Sequence, residues 1–203
     1  ILIVPNLVLC LTEPLSLMAK VCNVLLPFGC YYLLMTLSRN CGKMLWILFL
    51  FLFFGAFQIV LLYLFGQSII AVDMFLNLVT TNSSEALELL DNLTPAIIAV
   101  IILYVPALIL GTISIIRKRK LTVEFIRRER KRAFLVFGIS LLSLVGAYVQ
   151  DSGYELKSDL YPLNVCYNVG LAFQRTALTQ DYHRTSKDFT FHARPTHPEG
   201  KRE

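Results

Sequence analysis

Apolar residues along this chain are gathered into long uncharged blocks separated by short polar stretches. Trp46–Leu64 carries no charge in 19 residues, and Pro95–Ile116 carries none in 22. Each passes the length of about 18 apolar residues that marks a membrane-spanning helix. Val21–Leu37 and Ala133–Val149 are shorter but equally free of charge. None alternates polar with apolar, so the spanning form they predict is the helix and not the barrel strand. Ile1–Leu11 is also apolar, yet as a helix it would be only about 16 Å long at 1.5 Å per residue. We read it as the outer end of a truncated first span. The expected fold class is therefore all-α and integral to a membrane, with five transmembrane helices.

Composition agrees with the pattern. Charged residues make up 16% of the chain and mean hydropathy is +0.62, whereas a soluble domain carries roughly 25% charged residues. Basic residues set the orientation. Residues 117–132 hold nine Lys and Arg against two Glu, and Arg39 and Lys43 fall on the same side. A basic run of this kind can bind nucleic acid, but flanking spans make it a cytoplasmic loop, and no nucleic-acid partner is expected. Loop 67–94, with Asp73, Glu85, Glu88 and Asp91 and no Lys or Arg, then faces outward. The stretch 150–203 follows it to the outer side.

That outward loop has structure of its own. Ile69–Val79 places Ile70, Met74, Phe75 and Leu78 at helical spacing, and Glu85–Leu93 does the same with Leu87, Leu89, Leu90 and Leu93. Two short interfacial helices on the bilayer surface are expected, broken near 80–84. Asn77, Thr81 and Glu85 stand four apart and would share one helical face. Asn82-Ser83-Ser84-Glu85 equally matches a capping box, in which Glu85 ties off a helix start. The two roles of Glu85 are compatible, and the sequence leaves both open.

Beyond the last span, Pro162 can open a helix. Leu163–Leu178 offers Val165, Val169, Ala172 and Phe173 for one face. The polar remainder to Glu203 reads as a connector to a following domain. His183, His192 and His197 match no zinc spacing we would accept. Of the five cysteines, Cys30 and Cys41 are poor disulfide partners, and a Cys10–Cys22 pair is conceivable but not favoured. There is no nucleophile elbow and no Gly-rich phosphate loop. The absence of charge between Leu45 and Ile70 speaks against an ion-coupled pump. Tyr31, Tyr32, Tyr63 and Tyr104 are expected to anchor or pack helices.

The run Asp73-Met74-Phe75-Leu76-Asn77-Leu78-Val79-Thr80-Thr81-Asn82-Ser83-Ser84-Glu85-Ala86 resembles an aspartate followed by N-x-x-x-T-x-x-x-E-A. That motif is found in the N-terminal membrane domain of the bacterial phosphoethanolamine transferases, the lipid A enzymes and their mobile colistin-resistance relatives. The order of spans and loops and Pro162-Leu163-Asn164-Val165 are similar as well. The resemblance implies a multi-pass protein of the bacterial inner membrane with a periplasmic C-terminal end. It implies that residues 1–149 dock phosphatidylethanolamine within the bilayer lipids and that 150–203 lead to a separate domain of the alkaline phosphatase and sulfatase type. There a zinc-activated threonine would pass phosphoethanolamine to lipid A or a related envelope glycan. Asn77, Thr81 and Glu85 would contact the lipid headgroup. No Gly-Glu-Thr stretch occurs here, so no catalytic residue and no metal or other cofactor is expected in this chain; zinc belongs to the missing domain. A non-enzymatic membrane anchor or assembly subunit is the competing expectation.

Overall fold

A computed structural model describes residues 1–65 and 83–186, and every regular element among them is a helix. The helices are α1 (Val4–Thr12), α2 (Leu17–Met35), α3 (Cys41–Ile47), α4 (Phe49–Phe65), α5 (Ser83–Ile116), α6 (Val123–Gln150), α7 (Leu156–Asp159) and α8 (Leu163–Ser186). By length and composition α2, α6 and residues 93–116 of α5 can each cross a membrane. The bent pair α3–α4 makes a fourth crossing if taken as one broken span. With nine residues, α1 reaches less than half of a hydrocarbon core about 30 Å thick.

The closest packing joins α2 to α6. On α6 the buried positions Ile126, Ala133, Ser140 and Ala147 recur every seven residues. Cys22 and Gly29 on α2, and Thr36 at its C-cap, repeat the same interval. Small side chains let two backbones approach where no hydrophobic drive separates helix from lipid. A Cβ added to Gly29 would lie 3.1 Å from Phe137 Cα and 3.2 Å from Ser140 Oγ. The other faces of α6 present Phe134, Leu135, Leu142 and Val149, all exposed, as a lipid-facing helix should. A second close approach joins α3 to α5. A Cβ on Gly42 would stand 2.1 Å from the carbonyl oxygen of Gly111, so only glycine fits there.

Four features differ from the sequence reading. The uncharged run Trp46–Leu64 is not one straight helix but bends by 62° at Leu48. No glycine or proline stands at the bend. Leu48 is buried, its N–H donates to Met44 O at 2.9 Å, and its carbonyl accepts from Phe51 and Leu52. Leu48 itself therefore keeps both backbone groups paired at the bend, where apolar surroundings would penalise an orphaned one. Glu85–Leu93 is not a separate interfacial helix, because α5 continues from Ser83 through Pro95 and Pro106 to Ile116. Within 117–132 only the first residues form a connection. Thr122 caps α6 with its side chain accepting from Phe125 N–H, so 123–132 are its first turns. Phe173 is 75% exposed and does not share the buried face of α8 with Val165 and Ala172.

Candidate functional site

Of the three predicted headgroup residues, Asn77 and Thr81 lie outside the described residues, as do the first expected interfacial helix, His192 and His197. Glu85 is the third residue of α5, the position a capping box requires. Helix α4 delivers the chain to this loop. Its Leu61 and Leu62 pack with Leu9 of α1 and with Tyr161 and Val165 at the start of α8. The loop therefore leaves from the end of the bundle where α1, α4 and α8 meet.

At that end the polar residues form a buried network. Asn6 is 1% exposed, and its Nδ2 donates to Asn23 O at 2.8 Å and to Tyr161 O at 2.7 Å. The Nδ2 of Asn23 donates to Asp159 O at 2.7 Å, and the Tyr154 hydroxyl donates to Asn23 Oδ1. Two side-chain amides thus hold the segment 151–162 against α1 and α2. Each satisfies backbone carbonyls that burial would otherwise leave unpaired. Burial, reinforced by the adjacent Cys22 thiol, pushes the Tyr154 hydroxyl well above the ordinary phenol range, so it stays a donor. Leu160 and Tyr154 close the gap between α2 and Ala147 of α6. Tyr161 precedes Pro162 through a cis peptide bond, and the Pro162 carbonyl accepts from Cys166 N–H as α8 begins.

Next to this network lies a second group of polar atoms. The hydroxyls of Tyr31, Tyr104 and Tyr161, Asn6 Oδ1 and both polar atoms of the Asn164 side chain are buried without a protein partner. Gly55 marks where two of them converge, since a Cβ there would lie 3.0 Å from the Tyr104 hydroxyl and 3.4 Å from that of Tyr161. Buried hydroxyls and amides normally find partners. Such a lining suits a neutral polar group or ordered water rather than a metal, for it contains neither carboxylate nor imidazole. Sequence reading assigned Tyr31 and Tyr104 to helix packing, which their burial bears out. It missed Asn6, Asn23 and Asn164, although an asparagine inside an apolar run is itself a signal.

All five cysteines are free, and the Cys10 thiol donates to Lys20 O at 3.2 Å. No protein-family model, curated protein or solved structure matches the chain.

Proposed function

We propose that this chain is the membrane half of a phosphoethanolamine transferase. In this reading loop 67–94 grips phosphatidylethanolamine on the periplasmic side of a bacterial inner membrane. The observation that carries the reading is the run from Asp73 to Ala86, with Asn77, Thr81 and Glu85 at intervals of four. A carboxylate at Glu85 would face the ethanolammonium. The amide of Asn77 and the hydroxyl of Thr81 would serve its phosphate.

Two structural features support it. The helix that bears Glu85 begins at Ser83, and the N-terminus of a helix suits a phosphate. The buried asparagine network ties segment 151–162 to the same end of the bundle, giving α8 a fixed root. Through α8 a following zinc-dependent domain would be held over the lipid. That domain would supply the nucleophile and pass the group to lipid A or another envelope glycan.

The test uses the full-length protein in cells. Asn77→Ala and Glu85→Ala should each abolish phosphoethanolamine addition, read by mass spectrometry of the envelope glycolipids, while membrane abundance stays unchanged. Normal modification in both variants would remove the assigned roles. A coding sequence with no phosphatase-type domain beyond Glu203 would favour a non-enzymatic anchor.

A further inference from the structure

The opposite end of the bundle holds a different site. Between the α2–α3 connection and the end of α5 opens a cavity of about 610 Å³. Its lining includes Arg39, Lys43, Lys118 and Lys120, with apolar Leu37 and Ile115 beside them and no carboxylate. Among the described residues none of the four cations forms an ion pair. Four like charges around one cavity repel one another and call for an anion.

The cavity wall is held in place by backbone pairing. Leu121 N–H donates to Arg39 O at 2.8 Å, and Arg39 Nε donates back to Leu121 O at 3.0 Å. Buried Asn40 donates to Ser114 O at 3.2 Å and Arg119 O at 3.1 Å, and its Oδ1 accepts from Lys43 N–H at 3.0 Å. These bonds leave the charged ends of Lys43, Lys118 and Lys120 unengaged and the terminal nitrogens of Arg39 available.

Lys118 carries the sharpest signal. Helix α5 ends with Arg119 N–H donating to Ser114 O and Lys118 N–H to Ile115 O, both at 3.0 Å. In this Schellman pattern the residue in the position of Lys118 adopts left-handed backbone and is usually glycine. Lys118 does so with φ 48°, a strained state for a side chain with a Cβ. A lysine at a glycine position points to a use for its charge.

The surroundings identify the source of the anion. Leu37 is 63% and Ile116 73% exposed at the cavity's edge, and Ile47 is exposed one turn from Lys43. Trp46 beside it donates its indole N–H to Thr112 Oγ1 at 3.1 Å, the posture of a membrane-interface tryptophan. A basic cleft between helix ends at this depth meets lipid phosphates. We propose that the cavity binds the phosphate of an anionic phospholipid from the leaflet at the basic end of the bundle. This rests on the membrane-spanning reading alone and not on the transferase reading.

The test is thermal unfolding of the purified protein in neutral detergent with phosphatidylglycerol, phosphatidylcholine or inorganic phosphate added. Phosphatidylglycerol should raise Tm saturably and phosphatidylcholine should not. Lys118→Gly with Lys120→Gln should weaken the apparent affinity on the order of twenty-five-fold, at about five-fold per charge. Lys118→Gly alone should raise the lipid-free Tm, because it relieves the backbone, while lowering affinity for the lipid. A structural role for Lys118 would not move these two readouts in opposite directions. The charge-matched pair Arg128→Gln and Lys131→Gln, outside the cavity, should leave the affinity near that of the wild type. Equal losses in both pairs, or no effect of phosphatidylglycerol, would overturn the proposal. Equal stabilisation by inorganic phosphate would assign the site to a free anion and overturn the lipid assignment.

Discussion

Tyr154 and Asn23 stand 131 positions apart, yet the hydroxyl of the first donates to the side-chain oxygen of the second inside the protein. This one contact ties the segment after the last span to the second turn of α2. Tyr154→Phe would leave Asn23 Oδ1 buried without its partner, at about 1–3 kcal/mol. Asn23→Ala also frees Asp159 O and so should cost more. Because the two residues share one network, the double variant should be less destabilised than the sum of the singles, by about 0.5–3 kcal/mol. Chemical unfolding of the four proteins in detergent measures this. Strict additivity would mean that the contact contributes nothing.

The two glycines at the α3–α5 contact predict unequal outcomes. A methyl group on Gly42 meets the Gly111 carbonyl at 2.1 Å, and backbone cannot yield without moving the helix. The reciprocal methyl on Gly111 meets the end of the Leu45 side chain at 3.0 Å, which another rotamer can relieve. Gly42→Ala should lower the folded yield sharply, with a penalty at or above the 1–3 kcal/mol usual for overpacking. Gly111→Ala should cost less than about 1.5 kcal/mol. Expression and Tm in detergent compare them, and a more severe Gly111→Ala would contradict the packing described.

Uncharged length made the apolar helices legible in the sequence, because the bilayer tolerates few other forms. Burial inside the bundle was not legible. Trp46–Leu64 reads as one straight span, since no proline or glycine announces the bend at Leu48, where tertiary packing decides. The basic stretch 117–132 reads as a loop by its charge. Yet Arg and Lys are good helix formers, and with Thr122 as a cap the helix of the span simply starts earlier. Phe173 shares a helical face with Val169 on spacing alone, but it is exposed, whereas Val165 and Val169 pack with residues of α1 and α4 and Ala172 is buried. Asn6 and Asn23 could have been singled out as polar residues inside apolar runs. Their partners, backbone carbonyls and the Tyr154 hydroxyl, lie far along the chain, and no periodicity reveals those.

Glu85 stands third in α5, so its capping and headgroup roles can be separated by substitution. A capping box accepts glutamine as readily as glutamate, since either side chain can take the cap residue's N–H. An ethanolammonium needs the negative charge. In the full-length protein Glu85→Gln should therefore keep membrane abundance and Tm while losing about 10- to 100-fold in transfer, the worth of a charge-assisted hydrogen bond. Glu85→Ala should lose transfer and also about 0.5–2 kcal/mol of stability, which lowers Tm but is small enough to leave membrane abundance unchanged. Full transfer activity in Glu85→Gln would leave capping as the whole role of the residue.

Cys41 and Cys166 are both exposed and lie on either side of the bent pair, α5 and α6. If α3–α4 crosses the bilayer, three crossings separate them and they face opposite sides. If the pair turns back as a re-entrant loop, two crossings separate them and they share a side. The contacts favour a crossing, because Gly42 packs on Gly111 near the basic end while Leu62 packs on Leu9 and Tyr161 at the other. Spheroplasts treated with a membrane-impermeant maleimide should label Cys166 at once and Cys41 only after permeabilisation. Variants that keep one of these two thiols, with the others changed to serine or alanine, make the assignment unambiguous. Labelling of both thiols in intact spheroplasts would establish the re-entrant form, and labelling of Cys41 alone would invert the orientation that the basic residues predict.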